Sequence, residues 1–259
     1  MPENRVVLIS GAASGIGRRM AERLLAEGYS VHICDVSKEN VDEFVAANSR
    51  ATATVADIGD RADADRIFSD LLEHHGHLDI LINNAGIAGP AVPVEDCDED
   101  GWNECIQVNL TGTFYMTKRA IPLLRKSKSA SIINIASTAA LMGCPFRSPY
   151  VASKWAQIGL TKTWAMELGP DGIRVNAVCP TSVEGPRIER VIELEAKQRG
   201  RTTDEIRDVY LRQTSMRSFA TADEVADTVL FLASDKASRI SGHALAVDGH
   251  TEGFLNWLD

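Results

Sequence analysis

Val6-Val-Leu-Ile-Ser-Gly-Ala-Ala-Ser-Gly-Ile-Gly17 joins a short β-branched apolar run to a glycine-rich turn, and the turn opens onto a helical pattern. Glycines at 11, 15 and 17 let the backbone turn sharply and approach a pyrophosphate with no Cβ in the way. Ser14 and Ile16 lie between them, and a helix beginning near Ile16 would aim its free N–H groups and positive dipole end at that anion. Glycine-rich turns also arise by chance. Here strand, turn and helix follow one another inside a βαβ unit, and the G-x-x-x-G-x-G spacing differs from the commoner dinucleotide form.

The same rhythm continues along the chain. Short apolar runs at 6–9, 30–35, 51–56, 80–83, 131–137, 174–179 and 244–247 read as strands. Segments 16–27, 40–48, 61–75, 99–124, 150–168, 188–199 and 222–233 read as helices. Alternating βα units with mostly apolar strands predict an α/β protein, a parallel sheet covered by helices on both faces. No Pro/Gly/Ser linker or repeat divides the chain, so residues 1–259 are expected to form one domain. Between about 181 and 220 the rhythm gives way to a charged, helix-prone stretch. It reads either as a solvated insertion or as a lid over a substrate pocket. Its place after a strand's carboxyl end, where ligands of open sheets bind, favours the lid.

Composition narrows the function classes. Of 259 residues, 44% are hydrophobic and 24% charged, ordinary values for a globular protein. The net charge of −9, a pI near 5.2 and the lack of a basic stripe argue against nucleic acid as a partner. Cys34, Cys97, Cys105, Cys144 and Cys179 are scattered and form no C-x-x-C pair, which argues against a disulfide framework or a metal site. No signal-peptide pattern and no bilayer-length apolar stretch stand out, so a cytoplasmic protein with no membrane partner is expected.

Tyr150 and Lys154, in Ser148-Pro-Tyr-Val-Ala-Ser-Lys154, are one helical turn apart and share a face. An ammonium held beside a phenol favours phenolate by Coulomb attraction and makes a general acid/base near neutral pH. Such pairs are common on solvated helices, but the glycine turn and Ser137 upstream give this one a context. Asp35 closes the second apolar run, where a carboxylate can accept both hydroxyls of an adenosine ribose and repel a 2′-phosphate. NAD is therefore expected over NADP, with Arg18 and Lys38 as the nearby cations that would argue the reverse. Asp57, followed by Ile58, sits at the end of the third run. It reads equally as an acceptor for the adenine amino group and as a loop residue capping the helix that starts near Arg61.

Ser10-Gly-Ala-Ala-Ser-Gly-Ile-Gly17, Asn83-Asn-Ala-Gly86, Asn109 within Gln107-Val-Asn-Leu-Thr111, Ser137 within Asn134-Ile-Ala-Ser137, Tyr150-x-x-x-Lys154 and Asn176 within Arg174-Val-Asn-Ala-Val178 occur in this order. Their order and spacing resemble the short-chain dehydrogenase/reductase family, in its compact single-domain branch, over essentially the whole chain. The resemblance implies a Rossmann-type, doubly wound, seven-stranded parallel sheet and a nicotinamide cofactor. It also implies a catalytic set of Asn109, Ser137, Tyr150 and Lys154. In the oxidation direction Tyr150 would take the hydroxyl proton as a hydride leaves for nicotinamide. Ser137 would hold the substrate oxygen. Lys154 would favour the phenolate and bond the nicotinamide ribose, while the backbone carbonyl of Asn109 would fix a proton-relaying water. Asn83, Ala85 and Gly86 would line the adenine and ribose side.

One region departs from the family pattern. Where Pro-Gly and a following Thr are usual, this chain has Pro180-Thr181 and Gly185-Pro186. Pro180, the backbone of Val183 and the hydroxyls of Thr181 or Ser182 are expected to take over at the carboxamide. Met142, Gly143, Cys144 and Arg147 are candidates for one wall of the substrate pocket, with residues 182–188, including Arg187, for the other. Arg147 and Arg187 would either fork onto a carboxylate, phosphate or sulfonate or lie exposed in weak surface pairs. His250 reads as a structural residue or a substrate contact. The tail Phe254-Leu-Asn-Trp-Leu258 is expected, by family likeness, to pack within a homotetramer.

The expected function is an NAD(H)-dependent oxidoreductase interconverting a secondary alcohol and a ketone on a small polar substrate: a sugar, polyol or hydroxy acid. A 3-oxoacyl-thioester reductase using NADPH is the alternative within the enzyme class. A non-catalytic nucleotide sensor is the alternative outside it.

Overall fold

Alternate residues of the first strand serve opposite faces of the sheet. Val7 and Ile9 enter one apolar cluster, and Val6 and Leu8 enter another. The computed structural model describes residues 5–251 and 253. Among these, seven strands run parallel: β1 (Val6–Ser10), β2 (Ser30–Asp35), β3 (Ala51–Val55), β4 (Ile80–Asn83), β5 (Ser131–Ile135), β6 (Arg174–Pro180) and β7 (Ala244–Val247). Their spatial order is β3-β2-β1-β4-β5-β6-β7. Strands β1, β4, β5 and β6 are buried at every position, as a sheet covered on both sides requires.

The helices divide between the faces. On one, α1 (Gly15–Ala26), α2 (Lys38–Ala47) and α9 (Ala222–Ala233) bury Met20, Leu24, Phe44, Val225 and Val229. On the other, α3 (Arg61–His75), α5 (Thr113–Leu124) and α6 (Ser148–Leu168) bury Ile67, Leu71, Met116, Leu124 and Trp164. The chain moves outward from β1 to β3, then returns to place β4 on the other side of β1. That reversal opens a crevice beyond the carboxyl ends of β1 and β4, the switch point where ligands of doubly wound sheets bind.

Several boundaries move by one or two residues from the sequence-based expectation, and three differences bear on the site. The helix expected over 99–124 is interrupted. It consists of α4 (Glu99–Ile106), a wide π turn at Gln107–Gly112, and α5. In that turn the Thr113 N–H bonds the Leu110 carbonyl, and the Asn109 carbonyl is released to side chains. β5 stops at Ile135 because the Ser137 hydroxyl accepts the Ala139 N–H at 3.2 Å and starts a short 3-10 turn, Thr138–Ala140. β3 stops at Val55, short of Asp57, whose carboxylate folds back onto the Gly59 N–H at 2.8 Å. Asp60, rather than Asp57, caps α3.

The 181–220 stretch folds into α7 (Pro186–Arg199) and α8 (Thr203–Arg212), which bury Ile188, Ile192, Ala196, Ile206 and Phe219 in a small core of their own. Its stem is pinned where Ala220 bonds the Ser182 carbonyl and the Glu184 N–H. The tail from Phe254 lies outside the described residues.

Candidate active site

The crevice is built from two loops locked together. Ser10 Oγ accepts the backbone N–H groups of Asn84 and Ala85, each at 3.1 Å. Asn84 Nδ2 donates back to the carbonyls of Ser10 at 3.0 Å and Gly11 at 2.7 Å. Gly17 sits where a Cβ would lie 2.2 Å from the Gly11 carbonyl oxygen, so helix and turn touch backbone to backbone. Gly15 adopts a φ of +55° with nothing within 4 Å of its Cβ position, leaving open space at the start of α1. Ser14 occupies the N-cap without a side-chain hydrogen bond, and no acidic residue stands in the first turn. First-turn N–H groups beside an open, glycine-lined space are the donor set that a pyrophosphate requires, so the turn fits a dinucleotide.

Asp35 stands beside this turn. Its two carboxylate oxygens accept the Ala13 and Ser37 N–H groups at 3.1 Å each, which fixes the carboxylate and leaves lone pairs on both oxygens. Arg18 is engaged by Glu43 at 2.8 Å and Glu22 at 3.0 Å, and Lys38 by Asp42 at 2.6 Å. Ile58 is buried and Asp57 exposed. The Asn83 side chain points under the sheet, donating to Asn134 Oδ1 at 2.9 Å and Thr117 Oγ1 at 3.1 Å. It braces β4 against β5 and turns away from the crevice.

Lys154 is buried, with Nζ donating to the Ile135 carbonyl at 2.8 Å and to Gln157 Oε1 at 3.2 Å. Burial, and then the charge of Arg187, lower its pKa from 10.5 to about 8. Nζ lies 5.7 Å from the centroid of the Tyr150 ring, one turn earlier on α6. The Arg147 guanidinium sits 5.2 Å from the same centroid, within cation–π range. Arg147 Nε is buried without a hydrogen-bond partner. The turn carrying Ser137 packs against α6 and β6, so that hydroxyl lies beside the helix that bears Tyr150. As an acceptor from Ala139 it still has its own proton to donate to a substrate oxygen. The cap and the substrate contact are compatible.

Asn109 enters this cluster differently from the expectation. Its Nδ2 donates to the Ile87 carbonyl at 3.0 Å and to Ser153 Oγ at 3.1 Å, while its Oδ1 accepts the Ile87 N–H at 2.8 Å. The side chain thus ties the 83–87 segment to α6. Its backbone carbonyl accepts from Thr113 Oγ1 and from Gln157 Nε2, both at 2.8 Å. Both lone pairs expected to hold a water are taken by protein donors.

α7 and α8 bring Glu195 and Tyr210 near Cys144 and Arg147. The Tyr210 hydroxyl donates to Glu195 Oε2 at 2.8 Å, and its pKa is raised by burial and then by Glu195, within the field of Arg147 and Cys144. Glu195 also pairs with Arg199 at 2.9 Å. Cys144 is half-buried, and burial raises its thiol pKa. Met142 is half-buried, whereas Gly143 and Arg187 are exposed. Val183 lies at the stem, where the bridge to Ala220 uses the Ser182 carbonyl and Glu184 N–H and leaves Val183's own pair to face away. Pro180 ends β6, with its carbonyl 3.4 Å from Thr138 Oγ1. His250 is exposed, with Nδ1 2.7 Å from Ser215 Oγ.

Asn84 and Gln157 carry much of this geometry, and sequence reading passed over both. Their signal is a donor beside carbonyls that lack one, visible only once the loops are in place.

A family model described as enoyl-(acyl carrier protein) reductase matches residues 11–250. The chain is 37% identical over 251 residues to the 3-oxoacyl-[acyl-carrier-protein] reductase of Thermotoga maritima, covering 95% of this chain and 97% of that one. It is 39% identical over 255 residues to the trans-4-hydroxycyclohexanecarboxylate dehydrogenase of Sinomonas cyclohexanicum, covering 95% and 92%. The crystal structure of an NAD+-bound xylitol dehydrogenase superposes with a TM-score of 0.91 at 29% identity, covering 96% of this chain and 99% of that one.

Proposed function

Since the chain belongs to the short-chain dehydrogenase/reductase family, we propose that it interconverts a secondary alcohol and a ketone on a small polar substrate, with NAD(H). The observation that carries this reading is Lys154, buried and held by two neutral acceptors one turn below Tyr150. An ammonium so held is ready to stabilise a phenolate, and Tyr150 is the group that takes or returns the alcohol proton. Ser137 donates to the substrate oxygen as charge develops there. The nicotinamide, when bound, accepts or supplies the hydride. Gly11, Ser14, Gly15, Ile16 and Gly17 hold its pyrophosphate through backbone N–H groups and the α1 dipole. Ala85 and Gly86 flank the ribose side, Asp57 and Ile58 the adenine, and Pro180 and the Val183 backbone the carboxamide.

Asp35 supports NAD. Its fixed carboxylate repels a 2′-phosphate, and the two nearby cations, Arg18 and Lys38, are already paired to carboxylates. Arg147, with its unpaired Nε beside Tyr150, favours a hydroxy acid among sugars, polyols and hydroxy acids. The dehydrogenase of a hydroxycyclohexanecarboxylate at 39% identity and the NAD+-bound xylitol dehydrogenase fit the same substrate range. α7 and α8 serve as the lid. By family likeness the protein is proposed to be a cytoplasmic homotetramer.

A second reading rests on the 37% identity to a 3-oxoacyl-[acyl-carrier-protein] reductase. A panel of polyols, sugars, hydroxy acids and 3-oxoacyl thioesters, followed at 340 nm with each cofactor, separates the two. Turnover of a hydroxy acid or polyol with NAD supports the first reading. NADPH-dependent reduction of oxoacyl thioesters alone replaces it with the second.

A further inference from the structure

Gln157 is fully buried on α6, and all of its side-chain polar atoms are engaged. Nε2 donates to the Asn109 carbonyl at 2.8 Å and to Thr113 Oγ1 at 3.1 Å, while Oε1 accepts from Lys154 Nζ at 3.2 Å. The amide has one workable orientation. A carbonyl only accepts and an ammonium only donates, so nitrogen must face Asn109 and oxygen must face Lys154. Thr113 Oγ1 gives its own proton to the Asn109 carbonyl at 2.8 Å and thereby becomes an acceptor for Gln157. The π turn makes this closed circuit available by withdrawing the Thr113 N–H from the Asn109 carbonyl.

Of the three N–H donors of Lys154, one is held by Ile135 and one by Gln157, which leaves one for substrate, cofactor or Tyr150. We infer that Gln157 is a positioning residue: it orients the Lys154 ammonium with a neutral acceptor and closes the inner end of the Tyr150–Lys154 pair with protein atoms in place of water. The inference rests on the dehydrogenase reading for its catalytic consequence but not for its electrostatic one.

Neutrality at position 157 matters because no carboxylate among the described residues offsets Lys154. The titratable and charged groups acting on it are Arg187 from α7, Cys105 from α4 and Cys179 from β6, with Tyr150 and Arg147 from the start of its own helix and the residue before it. A carboxylate at 157 would hold the proton on Lys154 more tightly, and an apolar side chain would loosen it. Since the ammonium is the working form, activity falls as pH rises through the lysine's titration. Gln157→Glu should therefore move the alkaline limb of the kcat/KM profile upward, and Gln157→Met downward, each by about one pH unit.

The test follows the Lys154 ε-carbon by NMR in protein labelled at lysine ε-carbons, identified by its loss in Lys154→Arg, alongside the pH–rate profile. Opposite shifts of that titration in the two variants are expected, and equal midpoints in wild type and either folded variant would overturn the inference. A variant whose activity drops with both midpoints unmoved would also overturn it, because that is the mark of a structural role alone. If Gln157→Glu does not fold, the Gln157→Met midpoint decides. Wild-type protein without turnover on any panel substrate contradicts the dehydrogenase reading, and the NMR titration still judges Gln157.

Discussion

Two cations, Lys154 and Arg147, stand within about 6 Å of the centroid of the Tyr150 ring, and no carboxylate neutralises either among the described residues. The lysine's burial has a thermodynamic signature. Its pKa in the folded chain is about 8 against 10.5 unperturbed, so between those pH values the unfolded chain binds the extra proton. Folding is then disfavoured by the full burial penalty below pH 8, and the penalty is relieved as pH rises toward 10.5. The stability difference between wild type and Lys154→Met should shift toward wild type by on the order of 2 kcal/mol from pH 7 to pH 10. Urea denaturation of cofactor-free protein measures it, and a pH-independent difference would mean a solvated ammonium. Asp35→Ala should narrow the discrimination against NADP by roughly tenfold or more, about 1.4 kcal/mol, read from kcat/KM with each cofactor. A wild type that already prefers NADPH would contradict the cofactor assignment. Tyr150, Lys154 and Ser137 stand out in the sequence as candidates because few residue types can perform proton transfer to an alcohol, and their spacing matches a helix and a strand end. Gln157 does not, since an amide's role depends on which acceptor lies across from it.

α1 and the turn before it show how secondary structure prepares the crevice. Gly17 is where helix meets turn, and a Cβ there would lie 2.2 Å from a backbone oxygen. Gly17→Ala should abolish NADH binding by fluorescence titration, because backbone must move to admit the methyl group. Retained affinity would show that the turn does not hold the pyrophosphate. α9 packs on the same face and begins with a capping box in which Thr221 and Glu224 exchange hydrogen bonds. Thr221→Ala should cost about 1 kcal/mol, lowering the melting temperature by roughly 2–4 °C with kcat unchanged. α4, the π turn and α5 mark the limit of sequence reading. Apolar positions continue across 99–124, so periodicity reads one helix and cannot register the single residue that widens a turn.

The doubly wound topology brings the ends of β1, β4, β5 and β6 to one edge, where the glycine turn, Asn109, Ser137 and α6 converge. That architecture was readable because each βα unit announces itself by a β-branched run followed by an amphipathic one. The 181–220 segment was readable only as helix-prone, since its two helices bury their apolar faces against each other and Phe219, a pairing that local pattern does not specify. Assembly is expected to depend on the aromatic tail. Truncation after Gly253 should lower the mass measured by light scattering, and an unchanged mass would remove the tail from the interface. The proposed function asks one thing of the whole arrangement: to hold a lysine-supported phenol beside a bound nicotinamide. The most direct measurement compares wild type and Tyr150→Phe for NADH binding and for turnover at 340 nm in the same preparations. Turnover should fall by about 10²–10⁴-fold while NADH affinity stays within about twofold of wild type, whereas retained turnover, or loss of both together, would contradict Tyr150 as the proton-transferring group.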